Sequence, residues 1–78
     1  AAAALDDLGQ QRFAALKAWR AEVAKEHNLP AYVIFHDATL AAIAALNPQS
    51  KDELSGVSGI GEKKLEAYGS EVLRVVAL

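Results

Sequence analysis

The sequence predicts an all-α fold, a compact bundle of five helices. Apolar residues recur at steps of three to five along the N-terminal third, which is the period of one helix face. Beyond it, Pro, Asn and Gly divide the chain into short apolar segments, and no two of them make a convincing pair of strands. At 78 residues the chain has the length of one small domain. Its hydrophobic content of 53% includes much alanine, so the core must come from the larger side chains.

The first helix is predicted from Leu8 to His27. Its apolar face carries Leu8, Phe13, Leu16, Trp19 and Val23, with basic residues beside it. The run Asn28-Leu29-Pro30 ends the helix, because proline cannot continue it. Lys17 and Arg20 lie one helical turn apart on the basic side.

The next segment, "PAYVIF" at residues 30–35, is short, aromatic and β-branched. With no partner strand, we predict a buried irregular or single 3₁₀ turn, in which Val33 and Phe35 face inward and Tyr32 is exposed. Asp37 has the residue type of an N-cap for the helix that follows, which ends at Asn47-Pro48. Four residues of that helix suit burial: Leu40, Ile43, Ala44 and Leu46.

Ser50 and Glu53 have the Ser-x-x-Glu spacing of a capping box and open a short helix through Ser55. A further helix is predicted near Glu62 to Tyr68, after a glycine-rich turn.

Gly69 is predicted to end that helix. Ser70 is predicted to cap a last helix, in which Val72, Leu73 and Val76 face inward. The predicted core consists of Phe13, Leu16, Val23, Phe35, Leu40, Ile43, Leu54, Ile60, Leu65 and Leu73.

The glycine-rich turn, "GVSGIGEKKLEAYG" at residues 56–69, carries more glycine than a helix connection needs. Gly59 and Gly61 permit positive φ or a close approach of the backbone, so packing explains them. Alternatively, their amides hold a phosphate, with Lys63 and Lys64 adding charge in the first helical turn. Glu62 stabilises the helix start, but its carboxylate competes with an incoming phosphate. It therefore favours packing over phosphate binding as the explanation of the glycine turn.

Three elements in order resemble the HRDC (helicase-and-RNase-D C-terminal) domain, most closely that of bacterial RecQ DNA helicases. They are the Phe13-x-x-Leu16 helix, "PAYVIF-x-DATL" at residues 30–40, and "GVSGIGEKKLEAYG". The resemblance implies a five-helix HRDC-like bundle that contains a helix-hairpin-helix-like glycine turn. It covers nearly the whole chain, so residues 8–78 are taken as the domain and residues 1–7 as the remnant of a linker. The RNase D branch matches less well.

The resemblance also implies DNA as a partner, in repair and recombination. Tyr32 matches a family tyrosine associated with single-stranded DNA, and an exposed tyrosine can stack on any base. The DNA-binding candidates are therefore Lys17, Arg20, Tyr32, Gly59, Gly61, Lys63 and Lys64.

Charge favours a different function by a small margin. The formal net charge is −2, whereas nucleic-acid binding draws on lysine and arginine. We therefore expect a regulatory domain that alters DNA-structure selectivity through contacts with other helicase domains or a repair protein, with DNA binding at most weak. Its candidate acidic surface consists of Glu62, Glu66 and Glu71. Direct binding of single-stranded or junction DNA is the alternative.

No constellation of residues predicts catalysis or a metal site. Cysteine is absent, and neither histidine has a partner at ligand spacing. ATP and Mg²⁺ are expected only in the core of a parent helicase. We expect a monomeric domain without membrane association, cytoplasmic and associated with the bacterial nucleoid by resemblance.

Overall fold

Five helices and no strand occur in the part of the chain that the computed structural model describes, residues 5–77. The helices are α1 (Asp7–His27), α2 (Ala31–Ile34), α3 (Asp37–Leu46), α4 (Lys51–Ser55) and α5 (Glu62–Val76). The long helix α1 packs against α2, α3 and α5, and α4 packs against α5. The predicted all-α class and the number of helices are confirmed, although α2 was predicted as a turn and α5 as two separate helices.

Helix α1 begins before its predicted start. The Asp6 carboxylate accepts a hydrogen bond from Gly9 N at 2.7 Å and caps the helix. Leu8 is 58% exposed, so its assignment to the apolar face is wrong. Gly9 takes the inward position instead, because it precedes Leu16 by seven residues, two helical turns. The predicted linker falls partly on residues 1–4, which lie outside the described residues.

The segment after Pro30 is a single-turn α-helix, so the prediction of an irregular or 3₁₀ turn is wrong. Ile34 and Phe35 are buried, whereas Val33 is 41% exposed and does not face inward. Consecutive side chains on a helix point about 100° apart, so Val33 and Phe35 do not share a direction as they would on a strand. Tyr32 is exposed, as the sequence predicts.

Helix α3 starts at Asp37, with His36 at its N-cap. The prediction that Asp37 caps this helix is wrong, since its carboxylate pairs with Arg20 instead. Leu40, Ile43 and Ala44 are buried as predicted, but Leu46 in the last turn is half exposed.

Helix α4 has a displaced capping box. Ser50 Oγ accepts from Glu53 N at 3.2 Å, as predicted. The Glu53 carboxylate reaches one residue further back than a standard box requires and accepts from Gln49 N at 2.9 Å.

Helix α5 continues through Gly69, so the predicted break and the Ser70 cap are both wrong. Leu65, Gly69, Val72 and Val76 form one stripe at helical spacing, and the last three are buried. A glycine inside a helix costs only about 1 kcal/mol relative to alanine. Burial of two valines on a continuous helix outweighs that cost, because each contributes about 1.5–3 kcal/mol.

The core contains six of the ten residues predicted for it: Leu16, Val23, Phe35, Leu40, Ile43 and Leu54. Four others are only partly buried and pack against this cluster, namely Phe13, Ile60, Leu65 and Leu73. Ala44, Val72 and Val76 are buried, as their helix patterns predict, whereas the burial of Ala24, Ile34 and Val57 was not predicted.

Candidate nucleic-acid interface

A buried arginine fixes the connection between α2 and α3. Arg20 Nη1 donates to the main-chain oxygen of Phe35 at 2.9 Å and lies 2.6 Å from Asp37 Oδ1. The Arg20 side chain is only 10% exposed, whereas that of Asp37 is 68% exposed. Arg20 therefore does not belong to a surface patch, contrary to the sequence prediction, because its guanidinium is committed to the interior.

This pair changes the titration of Asp37. The hydrogen bond from Arg20, followed by its positive charge, lowers the pKa of the carboxyl below the ordinary value of 3.8. The charges of Lys17 and His36 act in the same direction. Lys17 on α1 therefore lies within electrostatic reach of the α3 start, while its Nζ sits 5.1 Å from the centre of the Phe13 ring.

The Phe35 ring joins three elements beneath the connection. It contacts Trp19 of α1 at a centroid distance of 6.1 Å and Tyr68 of α5 at 5.9 Å. Trp19 and Tyr68 meet edge to face at 5.7 Å, and both are partly buried and pack against the core cluster. Lys64 Nζ lies 5.3 Å from the Phe35 centroid, within cation–π range, which brings this lysine to the connection.

Gly59 in the glycine turn is explained by packing. Its φ is +95°, and a Cβ there would lie 2.5 Å from Thr39 Oγ1. A side chain at this position is excluded both by the backbone conformation and by the contact. Thr39 lies in the first turn of α3, and its N–H donates to His36 O at 3.1 Å. The glycine turn is therefore a direct neighbour of the α3 start.

Gly61 differs from Gly59. It is the exposed N-cap of α5, and a Cβ there would meet no atom of residues 5–77 within 4 Å. Packing therefore does not require this glycine. Within the described chain no side chain caps α5, which leaves its first amides available to an anion. Lys63, which follows, is exposed.

Tyr32 and His36 stand together on the outside of the connection. Tyr32 is 61% exposed, and its ring stacks with that of His36 at a centroid distance of 6.1 Å and an angle of 28°. We define the junction surface as Tyr32 and His36 at the α2–α3 connection, Lys64 over Phe35, and Lys17, whose charge acts on Asp37. Sequence reasoning missed His36, although its four-residue spacing from Tyr32 is a signal for proximity.

The acidic candidates lie on α5, and all three are exposed. Glu62 and Glu66 are four residues apart and share one side of the helix. Glu71 follows Lys64 by seven residues and lies on the other side, above Tyr68. The three carboxylates therefore do not form one patch.

Residues 5–77 contain neither a membrane span nor a metal-binding cluster. No helix there combines the length and apolar character needed to cross a membrane. No group of three His, Cys, Asp or Glu side chains is arranged to hold a metal ion in the same range.

The bundle, with its glycine turn packed on the α3 start, belongs to the HRDC domain family, whose family model matches residues 9–76.

The relatives that this chain matches are DNA helicases, and the match covers only a part of each. The chain is 50% identical over 70 residues to the ATP-dependent DNA helicase UvrD2 of Mycobacterium tuberculosis, covering 90% of this chain and 10% of that protein. It is 34% identical over 64 residues to the ATP-dependent DNA helicase RecQ of Pasteurella multocida. This match covers 82% of this chain and 10% of that protein. The chain thus spans about a tenth of the length of these relatives.

A solved structure has the same fold. HRDC domain 3 of D. radiodurans RecQ superposes with a TM-score of 0.84 at 41% identity. The match covers 87% of this chain and 90% of that one, so the solved relative is an isolated domain of similar size.

Proposed function

We propose that this chain is an accessory domain of an ATP-dependent DNA helicase, and that it contacts single-stranded DNA directly but weakly through the junction surface. ATP and Mg²⁺ then act in the helicase core, outside this domain. The observation that carries the proposal is the exposed Tyr32 ring at this connection, with Lys64 over the nearby Phe35 and the charge of Lys17 acting on Asp37. The charge of the sequence alone favours regulation through protein contacts. The exposed Tyr32 ring, with Lys64 nearby, supports direct contact with DNA instead.

The chemistry of the junction surface suits a single strand. A tyrosine ring stacks on any base, and such a contact contributes about 1–3 kcal/mol per base. The Lys17 and Lys64 ammonium groups attract phosphates, which carry no sequence information. Asp37 does not cancel them, because Arg20 offsets its charge. The surface is therefore suited to binding without sequence preference.

Binding through this surface is expected to be weak. With a formal charge of −2, the domain as a whole repels DNA. Neutralisation of two or three phosphates gives a log–log salt slope of about −1.4 to −2.1 for a single strand. Gly61 and Lys63 at the open start of α5 are candidates for one of these phosphates.

Variants of this chain test the proposal in a titration with labelled oligothymidylate. Tyr32→Ala should weaken binding by the stacking contribution. Lys17→Gln with Lys64→Gln should weaken binding and flatten the salt slope, whereas the control Lys25→Gln with Lys51→Gln should change both less. Equal effects of the two lysine pairs would contradict a localised interface. Thermal unfolding of each variant shows whether loss of the Lys64–Phe35 contact alters the fold.

The acidic residues of α5 support a second candidate function, regulation through contact with another helicase domain or a repair protein. Glu62 and Glu66 are exposed on one side of α5, and the net charge favours a basic partner over DNA. Charge reversal with Glu62→Lys and Glu66→Lys in the parent helicase should then change its choice among DNA forms, while Tyr32→Ala should not. The opposite result favours direct contact.

A further inference from the structure

We propose that His36 is a second DNA-contacting residue of the junction surface, its imidazole forming one stacking platform with Tyr32 and, when protonated, binding the neighbouring phosphate. This inference rests on the proposed function, since it assigns a ligand to the same surface.

The ring geometry defines where a base binds. A centroid distance of 6.1 Å lies within the range of about 4.5–7 Å that aromatic pairs adopt. A base inserted between the rings would require a separation of two stacking distances of about 3.4 Å each. The distance between the two ring centroids is smaller than this separation. The base therefore stacks on the Tyr32 ring from outside the pair and not between the two rings.

The backbone of His36 is held on both sides. Arg20 binds the oxygen of Phe35, which precedes it, and the carboxylate of Asp37, which follows it. The oxygen of His36 accepts hydrogen bonds from Thr39 N and Leu40 N, both at 3.1 Å. The main chain that carries the His36 ring is thus fixed by contacts within the bundle, which reduces the entropy that binding would cost.

The charges around the imidazole favour an anion. Asp37 of α3 and Arg20 of α1 offset each other. Lys17 of α1 and Lys64 of α5, which lies over the adjacent Phe35, remain as cations. Imidazoles change charge within the range of about pH 5 to 8. A proton on His36 therefore adds a third cation beside the stacked base.

Two substitutions separate stacking from charge. His36→Phe keeps a ring against Tyr32 but carries no proton, whereas His36→Ala removes both. His27→Ala is the matched control, since the chain has two histidines and His27 is exposed at the end of α1. Binding of labelled oligothymidylate is measured for each variant at several salt concentrations, near pH 8 and near pH 5.5.

The parent chain should bind more tightly at the lower pH, with a salt slope steeper by about 0.7 for one added phosphate contact. His36→Phe should bind like the parent near pH 8 but lose most of the pH effect. His36→Ala should weaken binding about twofold to tenfold even near pH 8, as expected for the loss of an aromatic pair. His27→Ala should retain the pH effect.

The outcomes distinguish this inference from the proposed function. If Tyr32→Ala weakens binding but both His36 variants behave like the parent, the role of His36 is wrong while the interface stands. If His27→Ala abolishes the pH effect and His36→Phe does not, the proton belongs elsewhere and the inference is overturned. If neither the parent nor any variant binds, both the interface and the role of His36 are contradicted.

Discussion

The guanidinium of Arg20 donates to the main-chain oxygen of Phe35 at 2.9 Å and so joins α1 to the connection between α2 and α3. The same group pairs with Asp37 at the start of α3. Because Tyr32 and His36 lie on either side of Phe35, one buried side chain sets the position of the exposed rings. This contact links the fold of the bundle to its candidate interface.

The Arg20–Asp37 pair predicts an acid-sensitive contribution to stability. Since the folded state lowers the pKa of Asp37, the contribution is complete above the ordinary value of 3.8 and disappears as pH falls below it. Asp37→Asn should therefore destabilise the domain near neutral pH, and its difference from the parent should shrink in acid. Urea unfolding over a pH series measures this difference.

Asp52→Asn is the matched control for that series, because Asp52 also lies in the first turn of a helix. The Asp52→Asn variant measures how much a first-turn carboxylate contributes to stability through the helix dipole when no buried arginine pairs with it. A pH dependence of the same size for both variants would show that the Arg20 contact contributes nothing specific.

Removal of the Phe35 ring should be costly. Phe35 is 1% exposed and packs against Trp19 and Tyr68, so Phe35→Ala should lower the free energy of unfolding by about 3–5 kcal/mol. Phe13→Ala provides the comparison, because Phe13 is only partly buried. Chemical denaturation should show the smaller loss for Phe13, and an equal or smaller loss for Phe35 would refute its place at the centre of the core.

The two inner glycines of the turn should respond differently to alanine. Gly59→Ala forces a side chain into positive φ and against Thr39, which should cost about 1–3 kcal/mol. Gly61→Ala has open space among the described residues, and it should cost only about 0.5–1 kcal/mol for replacing an N-cap glycine by alanine. Thermal unfolding of both variants tests this contrast. Similar losses would mean that the Gly59–Thr39 approach is not what requires a glycine.

Gly69→Ala should stabilise the domain by about 0.5–1 kcal/mol, because Gly69 lies inside α5. An added Cβ would lie 3.4 Å from Leu65 Cδ1 and 3.5 Å from Lys51 Cε, in ordinary contact with flexible side chains. A rise in melting temperature is the expected result. A marked fall would indicate that the chain needs a glycine conformation at this point.

Local sequence patterns predicted the helical class, the exposed Tyr32 and most of the central core. They failed at Gly69, where a helix-breaking residue type was outweighed by the stripe of valines that continues after it. They also failed at Arg20, since helical spacing does not tell a solvated basic residue from a buried one whose partners are far along the chain. Phe35 and Asp37, which hold Arg20, follow it by 15 and 17 residues.

The candidate site was predictable as separate parts but not as an arrangement. Tyr32 and the lysines of the glycine turn stood out by residue type. Only the fold shows that Gly59 contacts Thr39 and that Lys64 covers Phe35, which brings the turn beside the aromatic segment. His36 was missed because its role depends on a ring contact across the α2–α3 connection.

The central claim is that DNA contacts the junction surface, and a chemical-shift titration tests it most directly. Isotope-labelled chain is titrated with unlabelled oligothymidylate at low salt, and the amide and aromatic signals are followed by NMR. We expect salt-sensitive shifts concentrated at Lys17, Tyr32, His36 and Lys64, with Glu62 and Glu66 little affected. Shifts centred on Glu62 and Glu66, or no shifts at all at millimolar DNA, would contradict the account.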